Sequence, residues 1–309
     1  MKMVKQYHLK GRNNFLSLKL ENYIREKKEN VNQVLKDAFI SSSIPQNLKE
    51  SMHYSLFAGG KRLRPILLYA SYETYDDNVT KTNKTAAALE MIHTYSLIHD
   101  DLPAMDDDDF RRGHPTNHRQ FDEATAILAG DALLTYSFEM IANDEQLSAE
   151  EKVVVLKWLA HCSGPEGMVG GQILDIEAES SQLSLEQMEK VHELKTGKLI
   201  QFAIYIGAFL AKVDEKTLNQ LQHFSYYLGL IFQVQDDILD IVGTEEKLGK
   251  PVGSDEGNEK STYPKLLGLE GAKKQKQLYV EKATKALHCA NGNHSYLLSL
   301  LQYFSERDH

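Results

Sequence analysis

The 309-residue chain has only two cysteines, Cys162 and Cys289, with no C-x-x-C spacing between them. That excludes a disulfide framework and suits a reducing compartment. Long apolar runs are missing too. The longest, Leu199 to Ala211, stops after 13 residues and includes Gln201, short of the roughly 20 needed to span a bilayer. Basic charge is not in excess: the formal net charge is −9, which speaks against a nucleic-acid binder, whose footprint is a basic face. Phosphate-bearing substrates stay open, because carboxylates hold phosphate through divalent cations.

Acids are absent from the first twenty residues, which carry Lys2, Lys5, Lys10, Arg12 and Lys19 before Glu21 appears. No secretory pattern is present, and one Arg and one Ser are too few for a transit peptide. Residues 1–20 therefore read as a frayed basic extension and 21–309 as the functional domain, with a cytoplasmic location expected.

Proline is sparse and punctuates the chain. None falls among the 49 residues between Pro115 and Pro165, or the 85 between Pro165 and Pro251. Such stretches suit helices, where an interior proline costs about 3 kcal/mol. Ala88, Ile92, Tyr95 and His99 recur at helical steps. Asp122–Ile141, Glu150–His161 and Leu218–Val242 read as further helices, the last apolar around most of its circumference and so expected to be buried. Loops are expected at Ser41–Gln46, Tyr75–Asn78, Asp106–Thr116 and Gly243–Thr262. Strand-like alternation is hard to find, and no linker divides the chain. The reading is one all-helical domain.

What the chain does have is concentrated acid. "HDDLPAMDDDDFRRG", His99–Gly113, holds six aspartates and two arginines. Alone it could be a solvated loop. Asp100 and Asp106 would lie on different faces of a continuous helix, but Pro103 disfavours helix at Leu102, so the chain can fold Asp106 back toward Asp100 and Asp101. Arg111 and Arg112 follow, and guanidinium groups bind phosphate bidentately.

A second cluster, "FQVQDDILD" (232–240), sets Gln233, Asp236 and Asp240 on one face of an otherwise apolar helix. Like charges at that spacing destabilise a helix, and carboxylates in an apolar wall need partners such as divalent cations. "AGGKRLRP" (58–65) adds Lys61, Arg62 and Arg64 beyond a glycine turn, but it is not a P-loop. His93 lies two turns before Asp100. "ELKTGKL" (193–199) puts Lys195, Thr196 and Gly197 inside a helical pattern, which taken alone reads as a helix boundary and, beside the other motifs, as a kink that would open a lysine into a cavity. "GMVGGQILD" (167–175) sets Gln172 and Asp175 on one face, with Gly170 and Gly171 pointing to close helix packing.

Together with "AILAGDALLTY" and "KSTYPKLLG", these blocks in this order resemble the trans-isoprenyl diphosphate synthases, most nearly the bacterial farnesyl diphosphate synthases. The likeness runs from about residue 30 to the C-terminus, and the spacing in "DDLPAMD" looks like the bacterial form. His114 stands where related sequences often have lysine.

The resemblance implies a bundle of about ten core helices around a deep central cavity, forming a homodimer. It implies Asp100, Asp106 and Asp236 as ligands of three Mg²⁺ ions, with Asp101 and Asp240 supporting. Arg111, Lys195 and Lys250 would grip the allylic diphosphate, and Lys61, Arg64, His93 and Arg112 the isopentenyl diphosphate. Thr196 and Gln233 would face the reacting carbons. Tyr95 and Ser96, about one turn before Asp100, would set chain length at C15. Within the family a geranylgeranyl or geranyl diphosphate synthase is the alternative, and three further rivals remain. They are a class I terpene synthase, which needs no second diphosphate site, a non-catalytic subunit of a heteromeric synthase, and a calcium-binding structural protein. Asp107–Asp109 keep only a weak claim to a role.

Overall fold

The computed structural model describes residues 2–40, 43–178, 182–242 and 261–307, with side chains from Leu18 onward. Helix α1 (Lys2–Asp37) takes in the basic N-terminal segment and runs on into the body of the molecule. From Tyr23 onward, Lys27, Val31 and Leu35 recur every four residues as its buried face. Helices α2 (Gln46–Phe57), α3 (Leu63–Glu73) and α4 (Asn83–Asp100) follow, with a 3₁₀ turn at Val79–Thr82. The rest of the described chain is α5 (Asn117–Gln120), α6 (Glu123–Ala142), α7 (Ala149–Ser163), α8 (Met168–Ala178), α9 (Leu185–His192), α10 (Lys198–Leu210), α11 (Glu215–Val242), α12 (Tyr263–Cys289) and α13 (Ser295–Glu306).

The expected helices form within a few residues of their predicted ends, and local capping explains the starts. Asp122 accepts from the Thr125 N–H at 2.8 Å and begins α6. Ser148 and Glu151 form a reciprocal capping box that begins α7. The Asp106–Thr116 loop departs from the expectation in one respect: it carries a two-residue antiparallel hairpin, Phe110–Arg111 with His114–Pro115. Positive φ at Arg112 and Gly113 lets its tip reverse.

At the centre stands α10, whose Phe202, Ala203, Ile204 and Ile206 are fully buried. It packs against α3 so closely that a Cβ on Gly207 would sit 2.5 Å from the Leu68 carbonyl oxygen. Helices α4 and α6 form one flank, and α11 and α12 the other. As expected, α11 is buried along Leu221, Phe224, Leu228, Ile231 and Val234. The fold is the all-helical bundle that the sequence predicts.

Candidate active site

Helix α4 ends where Pro103 makes it end. Asp101 caps it, and the chain turns so that the Asp106 N–H donates to the Asp100 carbonyl at 2.8 Å. The bend therefore brings Asp100 and Asp106 to the rim of one cavity. Across it lies Asp236 on α11, with Gln233 one turn earlier. The cavity measures about 490 Å³ and is also lined by Arg111, Asp175, His192, Lys195 and Thr196.

The "KTG" segment is a π-helical turn, Glu193–Gly197, between α9 and α10. Such wide turns inside helices are frequent at functional sites. This one is clasped from both sides. A Cβ on Gly171 of α8 would lie 2.2 Å from the Lys195 backbone nitrogen, and one on Gly229 of α11 would lie 2.9 Å from the Gly197 Cα. Gly170, by contrast, packs on its own preceding turn at Pro165. The close approach lets α8 hold two site residues: Gln172 donates to Asp100, and Asp175 accepts from Lys195 at 2.7 Å.

The electrostatics are those of a site short of positive charge at its centre. Burial lifts the Asp100 carboxyl to about 6; Lys195 opposes the rise and Asp106 adds to it. Asp101 is raised by burial as well, although Arg111 counters by donating through Nε at 2.6 Å and Nη2 at 2.5 Å. Asp236 pairs with Arg307 beyond the end of α13. Its neighbour Asp237 accepts the Tyr263 N–H at 2.9 Å and so fastens the start of α12. Asp240, placed by the sequence on the face of Asp236, is buried one turn further along and does not line the cavity.

A second cavity of about 490 Å³ adjoins the first and shares Arg64, His93, Arg112 and Phe232 with it. Lys28, Lys61 and Arg307 add positive charge there. Arg64 Nη1 lies 3.4 Å from His93 Nε2. Burial drives the Arg64 guanidinium down to about 10, with Arg112 adding to the fall. Burial and then Arg64 hold His93 well below the ordinary imidazole range. His93 is therefore a neutral hydrogen-bonding group at neutral pH. Arg62, grouped by the sequence with Lys61 and Arg64, is consumed internally. It pairs with Glu90 at 2.7 Å, with both side chains nearly inaccessible.

Tyr95 and Ser96 are buried, but neither lines either cavity. His93, Leu97 and Asp100, at steps of four and three, face the first cavity, whereas the Tyr95 ring meets that of His99 on another side of α4. Lys250 lies outside the described residues. Asp107–Asp109 are exposed on the loop, where Asp109 pairs with Arg119 at 2.5 Å and Asp108 with Arg111 at 3.5 Å. Sequence reasoning missed Lys28, His192 and Arg307. Each lies in a segment with no motif of its own, and only folding brings it to the site.

Among the described residues no three carboxylate, imidazole or thiol groups close on a single metal position. The arrangement instead brings hard oxygen donors from the end of α4 and from α11 to one polar cavity, beside cations suited to phosphate oxygens. It can receive a polyanion from one side and a second anion from the other.

Comparison with known proteins agrees. A sequence profile of the polyprenyl synthetase family matches residues 45–296. The chain is 46% identical over 293 residues to a farnesyl diphosphate synthase of Bacillus subtilis, covering 94% of this chain and 99% of that one. It is 44% identical to a geranylgeranyl diphosphate synthase of Cyanophora paradoxa, covering 93% and 96% respectively. A solved structure of a Helicobacter pylori geranyltransferase, complexed with magnesium and isoprenyl diphosphate, superposes with a TM-score of 0.78 at 35% identity, covering 91% of this chain and 96% of that one. The two-cavity site and these likenesses lead to one conclusion: the chain belongs to the polyprenyl synthetase family of prenyl-transferring enzymes.

Proposed function

We propose that the protein condenses isopentenyl diphosphate head-to-tail with dimethylallyl and then geranyl diphosphate to give farnesyl diphosphate. The observation that carries this reading is the pairing of an acid-walled cavity with an adjoining basic one, joined through Arg64, His93 and Arg112. A terpene synthase would have no use for the second.

Magnesium suits the donor set, since Mg²⁺ prefers one or two carboxylates completed by substrate phosphates and water. Asp100, Asp106 and Asp236 would hold three ions, with Asp101 and Asp240 in support. When bound, the metal supplies Lewis-acid stabilisation to the leaving diphosphate. The structure of the Helicobacter relative with magnesium and an isoprenyl diphosphate supports this assignment.

In the first cavity Arg111 and Lys195 bind the allylic diphosphate, a role the family likeness extends to Lys250. The C–O bond breaks and its electron pair leaves with diphosphate, giving an allylic cation. Thr196 and Gln233, carried into the cavity by the π-turn and the α11 helix packed on it, orient the cation and shield it from water. Lys61, Arg64, His93 and Arg112 hold isopentenyl diphosphate so that its double bond attacks the cation. A proton then passes to the released diphosphate, and the new double bond forms. No side-chain nucleophile is required.

The protein is further assigned to the cytoplasm, as a homodimer. No helix of the described chain is long and apolar enough to cross a membrane. On α6, Ile127 and Leu128 are 43% and 59% exposed, an apolar patch suited to a second copy. Incubation with C5 and C10 allylic diphosphates, isopentenyl diphosphate and Mg²⁺, followed by chromatography, tests activity and product length together.

A further inference from the structure

The basic cavity contains a cation that no motif predicts. Lys28 is half-buried on α1 and lines that cavity with Lys61, Arg64 and Arg112. Its neighbour Lys27 is committed to the core, where it pairs with Glu73. Among the described residues Lys28 itself has no hydrogen bond or ion pair. Its direction is fixed by the helix. Asn32 lies four residues on, on the same face, and Asn32 Oδ1 accepts from Arg62 Nε at 3.0 Å. That bond docks this face of α1 against the turn carrying Lys61 and Arg64.

The local charge balance gives Lys28 its role. Glu90 is the only acid lining the cavity among the described residues, and it is matched by Arg62. Arg307 is matched by Asp236 across the shared wall, whereas Lys28, Arg64 and Arg112 line the cavity with no further acid beside them among the described lining residues. We propose that Lys28 is a further ligand of the isopentenyl diphosphate, binding its phosphate oxygens from the α1 side, opposite Arg112. The assignment rests on the proposed function and adds a residue to the same site. It makes α1 part of the binding machinery as well as a packing element.

The test uses the full chain and three variants, Lys28→Met, Lys28→Arg and Arg25→Met. Arg25 is exposed on the same helix and, among the described residues, bonds only Asn22, so its variant removes one charge outside the cavity. Calorimetric titration with isopentenyl diphosphate alone gives affinity, and steady-state assays give KM for each substrate. Lys28→Met is expected to weaken isopentenyl diphosphate binding about tenfold, the usual scale for losing a charge-assisted hydrogen bond. The change falls on that substrate's KM and spares the KM for geranyl diphosphate. Lys28→Arg recovers most of the affinity, and Arg25→Met behaves as the parent protein. Unchanged binding in Lys28→Met, an equal loss in Arg25→Met, or an equal rise in both substrates' KM overturns the assignment. Failure of the parent protein to bind isopentenyl diphosphate would instead overturn the proposed function itself.

Discussion

The Arg112 guanidinium fills the space into which any side chain at position 60 would project: a Cβ on Gly60 would stand 2.5 Å from Arg112 Nη1. The same nitrogen donates to the Gly59 carbonyl at 2.8 Å. The glycine pair is thus a seat that aims Arg112 into the basic cavity.

Its two members separate strain from contact. Gly59 and Gly60 have φ of 104° and 107°, yet a Cβ on Gly59 meets nothing within 4 Å. Both alanine variants carry the same backbone cost, and only Gly60→Ala displaces Arg112. We expect Gly60→Ala to raise the KM for isopentenyl diphosphate about tenfold more than Gly59→Ala does. In an Arg112→Ala background the two should become equivalent. Equal effects in the parent background would show that the seat does not matter.

The acid walls predict a loss of rate without a loss of fold. Asp100→Ala and Asp236→Ala should each lower turnover by roughly 10²–10³-fold, the scale seen when one preorganised electrostatic group is removed. Helical circular dichroism should be unchanged. Near-normal Mg²⁺-dependent turnover in either variant would contradict the placement of the ionisation step.

His93 predicts a pH dependence of stability. Its imidazole is held neutral in the folded state by burial and by Arg64. As pH falls below about 6.5, the unfolded chain takes up a proton there first, so the folded state loses stability relative to the unfolded one. His93→Gln removes this group. The parent protein should therefore lose more thermal stability than His93→Gln between pH 7.5 and 5.5. Parallel melting curves across that range would falsify the assignment of a neutral His93.

Chain length is the point on which sequence and structure pull apart. The sequence assigns the floor to Tyr95, whereas Leu97 is the α4 side chain that lines the cavity between His93 and Asp100. Tyr95 is only 5% exposed and packs edge-on to His99. If Tyr95 sets the floor, Tyr95→Ala yields products longer than C15. If product length is unchanged there and lengthens in Leu97→Ala, the floor belongs to Leu97.

The aspartate motifs were legible because their chemistry conflicts with local structure. Pro103 breaks a helix between two acids, and Asp236 sits in an apolar stripe, so each asks for a compensating ligand. The Lys195–Gly197 turn was half legible: a glycine within a helical pattern marks a boundary or a kink, and only the packing of Gly171 and Gly229 against it decides for the turn. Locally Arg62 looks like its neighbours Lys61 and Arg64, and only tertiary contact separates it from them, by bringing Glu90 and Asn32, 28 and 30 residues away, against it. Lys28 and Arg307 were invisible because nothing local distinguishes a lysine on an amphipathic helix or an arginine near the C-terminus. Their roles arise only from tertiary contact.

The central claim is that one allylic and one isopentenyl diphosphate react in the joined cavities. The most direct measurement follows both substrates in a single incubation with geranyl diphosphate, isopentenyl diphosphate and Mg²⁺. The account predicts one isopentenyl diphosphate consumed and one diphosphate released for each C15 diphosphate formed. Release of diphosphate from geranyl diphosphate with no consumption of isopentenyl diphosphate would contradict it.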